Sequence, residues 1–411
     1  MPETPLDFSI VMPCLNEVGT LAQCIERSNE AVSELNKRHG FNGEIIVADN
    51  GSTDGSQQLA ESMGARVTNV EELGYGAALK GGFDNSNGRF LVMGDSDCSY
   101  DFAEAVPMVE KLADGADICM GSRFAGEIKP NAMPWKNKYI GNPVLSWLLR
   151  LFYRTNVGDA HCGLRALTRE CYDRLDLKSD GMEFASEMIL KATILNERIE
   201  EVPVTLWPDK RDRPPHLRPW RDGWRHLRLM LMLSPMWLFI VPSLLFAAFG
   251  LFLFGALLAQ PTGTMVEVGP FRFGDHWLSV ASALVIIAAQ LGLFGCIAIL
   301  HGFLTGLRPV TESVRRVIAL FRLEYVMIGA FLIFLTGLAI VATIAVGWIG
   351  AGAGPLNALR EMIAGSTLVV VGVQTFFAGF LIAILGGTRG RIQLGDETDT
   401  EDRLNRTVDN T

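Results

Sequence analysis

Arg89-Phe-Leu-Val-Met-Gly-Asp-Ser-Asp97 carries an apolar run into two carboxylates one residue apart. It reads as a buried strand that delivers Asp95 and Asp97 to its C-terminal end, where open α/β sheets place their ligands. Two acids so close repel each other unless a cation lies between them. A hard divalent ion, Mg²⁺ or Mn²⁺, itself bridging phosphate oxygens, meets that need. An isolated Asp-Ser-Asp can instead be a strand-end turn that hydrogen-bonds its own backbone.

The surrounding segments weigh on that choice. Phe8 to Met12 and Glu44 to Ala48 read as strands, Thr20 to Asn36 as a helix, Ala65 to Val70 as a third strand. A helix from about Gly76 to Ser86 leads into the Phe90 to Met93 strand, and Asp117 to Met120 supplies another. This alternation predicts a mostly parallel sheet with covering helices. Four strand ends then carry polar clusters: Asn16 and Glu17, Asp49 to Asp54, Asp95 and Asp97, and Ser122 with Arg123. Parallel strands put those ends on one rim, so their recurrence makes a site. Ser52 or Thr53 is the expected cap of the helix after the second strand. Gly74-Tyr-Gly76 lacks the Walker Lys-Ser/Thr, and no dinucleotide fingerprint follows the first strand, which speaks against a P-loop enzyme or a Rossmann dehydrogenase.

The 411 residues are 49% hydrophobic, with a formal charge of -9. The apolar excess lies beyond Ser234, so a soluble unit is joined to a membrane unit. Seven cysteines in no metal-ligand spacing read as reduced, buried thiols. No charged segment leading into an apolar one opens the chain, so the first half is expected in the cytoplasm. No nucleic-acid partner is expected.

Val11-Met-Pro-Cys-Leu-Asn-Glu17, Asp49-Asn-Gly-Ser-Thr-Asp54, Gly74-Tyr-Gly76 with Lys80-Gly81, Asp95-Ser-Asp97 and Gly121-Ser-Arg123 resemble, in order and spacing, the family-2 inverting glycosyltransferases. The nearer resemblance, over about residues 8 to 232, is to the polyprenyl-phosphate (dolichol-phosphate type) sugar synthases. It implies an α/β, Rossmann-like GT-A domain with a mostly parallel sheet and helices on both faces, and a nucleotide-sugar site formed by Pro13, Asn16, Glu17, Asp49, Ser52, Asp54, Lys80, Asp95 and Ser96. Glu17 and Asp49 would meet the nucleoside, carboxylates being good acceptors for ribose hydroxyls and a base N–H. Asp95 and Asp97 would hold the metal on the diphosphate, Asp97 with a catalytic part.

Val157-Gly-Asp-Ala-His-Cys-Gly-Leu-Arg165 resembles the acceptor-proximal stretch of that family, with Leu164 where an aromatic is frequent. Asp159 is the candidate general base or acceptor-positioning group, or else a structural turn carboxylate; an anionic phosphate acceptor hardly needs a base. His161 is a lesser candidate. Arg123, Lys138, Asn142, Arg165, Arg211 and Arg213 are candidates for the acceptor phosphate, weighed against solvated surface cations. Glu183 and Glu187 are expected to brace a helix.

Residues 219–233 carry Trp220 and Trp224 at helical spacing beside Arg221, Arg225 and Arg228. This reads as an amphipathic helix lying in a headgroup layer, the alternative being a helix packed on the soluble domain. The organisation is therefore residues 1–218 catalytic, 219–233 interfacial, 234–388 an all-α membrane domain of four spans, and 389–411 a disordered acidic tail. Arg308, Arg315, Arg316 and Arg322 between the second and third spans, and Arg389 and Arg391 after the fourth, place both termini and the catalytic domain on the cytoplasmic side of a cytoplasmic membrane.

The favoured reading is transfer of a sugar from UDP-glucose, GDP-mannose or another UDP-hexose to undecaprenyl or dolichyl phosphate with inversion. A tetramer is implied by resemblance alone. The rivals are a processive polysaccharide synthase, whose Gln-x-x-Arg-Trp element is lacking, and a silent scaffold or lipid transporter, which the retained acids oppose.

Overall fold

Phe8, Ile10 and Met12 of strand β1 (Phe8–Cys14) are buried in one apolar cluster and Val11 in another. Strand β2 (Gly43–Asp49) divides Ile45 and Val47 from Ile46 and Ala48 in the same way. Strands buried on both faces need such continuous apolar runs. A computed structural model of the protein describes residues 6–155, 157–210, 219–261, 263–305, 323–354 and 358–408. The chain divides into two units, Met1–Leu233 and Ser234–Thr411.

In the first unit, helix α1 (Val18–His39) joins β1 to β2, and α2 (Ser56–Ser62) leads to β3 (Arg66–Asn69). Helix α3 (Tyr75–Asp84), β4 (Phe90–Met93), α4 (Val106–Ala113) and β5 (Ile118–Ile128) follow. Then come α5 (Asn142–Tyr153), β6 (Arg165–Thr168), α6 (Arg169–Leu175), α7 (Phe184–Leu195), β7 (Ile199–Leu206) and α8 (Pro219–Met232). The seven strands stand in the order β3-β2-β1-β4-β6-β5-β7. Only β6 runs against the rest, pairing antiparallel with β4 and β5. The C-terminal ends of β1, β2, β4 and β5 therefore share one rim.

Three local expectations are corrected. Strand β5 runs to Ile128 because Glu127 and Ile128 pair with Thr205 and Leu206 of β7 after a register shift. Neither Ser52 nor Thr53 caps α2; Asp54 Oδ1 accepts from the Ser56 backbone N–H at 3.0 Å, a bond the flanking Gly55 permits with its φ of 95°. The 219–233 helix is not a free interfacial element, since Asp222, His226 and Met230 are buried and Met230 joins the core cluster of α7.

Among its described residues the second unit holds four helices long and apolar enough to cross a membrane: Met236–Leu258, His276–Leu304, Glu324–Gly350 and Leu359–Leu385. Between the first two lies a hairpin, Val266–Val268 paired with Phe271–Phe273, so the unit is not all helical. Arg360, 1% exposed, bonds the carbonyls of Gln260 at 2.7 Å and Thr264 at 2.8 Å, satisfying acceptors beyond the C-terminal end of the first span. The last helix is helical from Leu359 to Val408, through the acidic stretch expected to be irregular; no proline interrupts it, and Glu, Arg and Leu propagate a helix well.

Candidate active site

The end of β4 feeds a cleft of about 570 Å³. Pro13, Cys14 and Glu17 line it from the end of β1, Asp95, Ser96 and Asp97 from β4, and Tyr75 from the start of α3. Asp97, 3% exposed, accepts from the Ser99 backbone N–H at 2.9 Å, and Asp95 accepts from the Tyr75 hydroxyl at 3.0 Å. Burial and the Asp95 charge push the Tyr75 phenol well above its ordinary pKa, so it stays a hydrogen-bond donor at neutral pH. Ser96 ties the loop to β1 by donating to the Pro13 carbonyl at 2.7 Å. Tyr75 was missed in the sequence; its place between the glycines of Gly74-Tyr-Gly76 is the signal that marks it.

Gly163 packs against this loop from the segment before β6. A Cβ there would meet Asp95 Oδ2 at 2.6 Å and the Tyr100 ring at 2.8 Å, while its N–H donates to the Tyr100 hydroxyl at 2.9 Å. The 157–165 segment is thus pressed against an Asp95 carboxylate.

Asp49 is buried at the end of β2, with Oδ2 accepting from Gly51 and Ser52 N–H groups and from the Gln57 amide at 2.6 Å. Its Oδ1 is buried without a hydrogen-bond partner among the described residues. Asn16, Ser52 and Asp54 hold loops to each other rather than facing the cleft. Asn16 Oδ1 accepts from Thr53 N–H at 2.8 Å, Ser52 Oγ from Asn16 N–H at 2.9 Å, and Asp54 Oδ2 from Val18 N–H at 3.0 Å.

Several residues read as ligand contacts are built into the scaffold. Lys80 pairs with Asp180 and lines a different cavity, beside Asp84 and Tyr172. Arg165 is fully buried and donates to the carbonyls of Cys162 at 2.7 Å, Ala160 at 2.8 Å and Ala185, so its guanidinium cannot reach a phosphate. Arg123 and Asp159 are buried and paired with each other. Lys138, half-buried, sits over the Tyr139 ring, and Asn142 donates to the Met133 sulfur at 3.5 Å. Arg211, Arg213 and the side chain of Trp220 lie outside the described residues.

His161 packs edge-to-face on His226 with centroids 5.1 Å apart, and His226 Nδ1 bonds the Ser186 hydroxyl at 2.7 Å. Desolvation, aided by His226 and Arg123, pushes His161 down to about 3, which leaves it a neutral packing residue. Glu187 braces α7: it pairs with Lys191 at 2.8 Å and accepts from the backbone N–H groups of Lys178 and Ser179.

Arg221, Asp222 and Arg225 of α8 complete the cleft wall. Its outer stripe is Trp224, Arg228 and Met232. A second exposed stripe runs along α5, where Val144, Trp147 and Leu151 recur at helical spacing, with Trp135 and Ile140 in the segment just before it.

An open, mostly parallel sheet with one reversed strand and an acidic cleft on its carboxyl rim defines a GT-A type transferase domain. The chain belongs to glycosyl transferase family 2: residues 9–176 match the family described as "Glycosyl transferase family 2", and residues 296–386 the "Glycosyltransferase family 2 C-terminal transmembrane region". It is 37% identical to the low-salt glycan biosynthesis hexosyltransferase Agl6 of Haloferax volcanii over 92% of this chain and 89% of that protein. It is 31% identical to glycosyltransferase AglJ of the same organism, over 54% of this chain and 69% of that one. It is 26% identical to the dolichol-phosphate mannosyltransferase of Pyrococcus furiosus, over 49% of this chain and 56% of that one. The protein is therefore a membrane-embedded glycosyltransferase.

Proposed function

We propose that the protein transfers a hexose from a nucleoside-diphosphate sugar to a polyprenyl phosphate, with inversion, at the cytoplasmic face of the membrane. The observation that carries this reading is the cleft in which Asp95 and Asp97 share a wall with two arginines. The relatives that include a dolichol-phosphate mannosyltransferase support the acceptor class, and UDP-glucose is the first donor to try.

The pair Asp95 and Asp97 fits a divalent ion. No third His, Cys, Asp or Glu forms a metal-sized cluster with them among the described residues, and Mg²⁺ prefers one or two carboxylates with phosphate oxygens and water. When bound, such an ion neutralises charge on the departing nucleoside diphosphate. The chain's own residues do the rest. Tyr75 holds Asp95 in place through its hydroxyl. Asp49 Oδ1, buried and unpaired among the described residues, is an acceptor suited to a base N–H. An acceptor phosphate monoester is already anionic at neutral pH, so its oxygen attacks the anomeric carbon directly as the glycosyl–phosphate bond breaks. No protein base is then required, in accord with an Asp159 buried against Arg123.

The four apolar helices and the arginines between the second and third of them in sequence, Arg308, Arg315, Arg316 and Arg322, support a membrane anchor with both termini cytoplasmic. The exposed apolar stripe of α5 is suited to rest on a bilayer surface. The test supplies purified protein with Mn²⁺, undecaprenyl or dolichyl phosphate, and radiolabelled UDP-glucose, GDP-mannose or UDP-N-acetylglucosamine. Organic-extractable label with one donor is expected; its absence with all of them would falsify the reading.

A further inference from the structure

We propose that Arg221 and Arg225 of α8 are the phosphate-binding cations of the cleft, receiving either the acceptor phosphate monoester or the donor diphosphate. The inference rests on the transfer reading above and assigns it two residues that the sequence placed on lipid headgroups instead.

The rotation of α8 decides where these side chains go. Asp222, His226 and Met230, four residues apart, form its buried ridge. His226 is held by the 2.7 Å bond to Ser186, and the Met230 carbonyl accepts from the Tyr153 hydroxyl at 2.6 Å. With that ridge fixed, Arg221 and Arg225 sit one turn apart on the flank that walls the cleft.

Charge gives them a task. The cleft is lined by four carboxylates, Glu17, Asp95, Asp97 and Asp222, and Arg221 and Arg225 are the only cations among its described lining residues. A divalent ion on Asp95 and Asp97 offsets two of the four negative charges, and the two guanidinium groups offset the other two. Without them an anionic substrate would enter a cleft that is still net negative. The protein's own carboxylates hold the pair loosely. Arg221 Nε lies 3.6 Å from Asp222 Oδ1, and Arg225 Nη1 lies 3.9 Å from the same atom and 3.8 Å from Glu183 Oε2. These separations orient the guanidinium groups yet exceed hydrogen-bond length, the geometry of a fork awaiting an oxyanion. The two residues would therefore link a helix whose outer stripe is Trp224, Arg228 and Met232 to the chemistry inside.

The experiment compares the wild-type full chain in detergent with R221Q, R225Q, the double variant, and R221K/R225K, each checked for an unchanged thermal midpoint. Binding of UDP with Mn²⁺ and of farnesyl phosphate is measured by calorimetry, and KM for donor and polyprenyl phosphate where turnover is seen. A tenfold or greater weakening for farnesyl phosphate with UDP within twofold assigns the acceptor phosphate; the reverse assigns the donor diphosphate. Lysine should recover part of the loss, because it keeps the charge but not the fork. If the double variant does not fold, the single variants are read the same way, with threefold as the expected effect. Affinities for both probes within twofold of wild type overturn the inference. Should wild type bind both probes and transfer no sugar, the transfer reading fails while the loss of phosphate binding in the variants still upholds this one.

Discussion

Arg123 grips Asp159 with both arms of its side chain: Nε donates to Oδ2 and Nη2 to Oδ1, each at 2.7 Å, and the Arg123 backbone N–H adds a third bond to Oδ2 at 3.0 Å. The pair fastens the Gly121-Ser-Arg123 segment inside β5 to the loop entering β6. Burial would raise the Asp159 pKa, but the guanidinium wins and holds it below the ordinary carboxylate range.

A carboxylate so placed positions the 157–165 loop and is not free to abstract a proton. D159N should therefore lose stability, by about 3–5 kcal/mol, since it leaves a buried guanidinium uncompensated. The R123A/D159A double variant should cost less than the sum of the singles. Denaturant titration measures both. Strict additivity, with D159N as stable as wild type and inactive, would restore the base.

How far this was readable from sequence depends on whether the signal is local. The Phe90–Met93 strand and its two acids stand out because periodicity and an abrupt polar end occur within nine residues. Strand β7 was overlooked although Val202, Val204 and Leu206 alternate, because Pro203 and two glutamates argue against a strand; at the sheet edge a proline is tolerated. Strand β6 is four residues long and opens on an arginine. The fates of Asp159 and Lys80 depend on partners 36 and 100 residues away in the chain, and no local pattern carries that. The docking of α8 was hidden for the same reason: Trp and Arg advertise a headgroup layer, whereas Asp222, His226 and Met230 are buried against groups that only the fold brings near.

Asp49 offers a test of the nucleoside pocket. Its Oδ1 is a buried acceptor without a partner among the described residues, and a ligand N–H that satisfies it makes a charge-assisted bond. D49N should weaken uridine-nucleotide binding by about 1.5–3 kcal/mol, on the order of ten- to a hundredfold. Calorimetry with UDP checks it, and an affinity unchanged within twofold excludes Asp49 from the pocket.

Acid should destabilise the first unit before its carboxylates titrate. His161 is neutral in the fold down to about pH 3, whereas in the unfolded chain it takes a proton below its ordinary 6.5. Between those values the unfolded state binds more protons, so stability falls as pH falls, by about 1.4 kcal/mol per pH unit from this group alone. His226, also depressed by desolvation, adds to the slope. Below the ordinary Asp value of 3.8, the unfolded chain takes up a proton that the folded Asp159 refuses, which continues the decline. Thermal midpoints from pH 7 to 4 should show the slope, flattened in H161Q; parallel profiles would refute the assignment.

Gly163 makes the 157–165 loop and Asp95 mutually dependent. A methyl group at this position would lie 2.6 Å from Asp95 Oδ2 and 2.8 Å from Tyr100 Cε2, so one of the two must move. Overpacking of this kind costs about 1–3 kcal/mol. If Asp95 yields, G163A weakens Mn²⁺-dependent UDP binding about tenfold while metal-free UDP binding holds. Equal binding with and without Mn²⁺ in the variant and in wild type would detach Asp95 from the metal.

The stripe Ile140, Val144, Trp147 and Leu151 is the last feature to require an occupant. Four large apolar side chains on one exposed helix face form a patch that a solvated surface seldom presents, and a tryptophan among them suits the boundary between acyl chains and headgroups. On the proposed reading this face touches the bilayer beside the loop that receives the lipid phosphate. I140E/W147E should then keep the thermal midpoint, because neither side chain is buried, and keep UDP affinity, because neither lines the cleft. It should lower transfer to membrane-embedded polyprenyl phosphate about tenfold, while transfer to a short, soluble prenyl phosphate is spared. Equal losses with both acceptors would show that the stripe serves the fold or the cleft, and not a membrane surface.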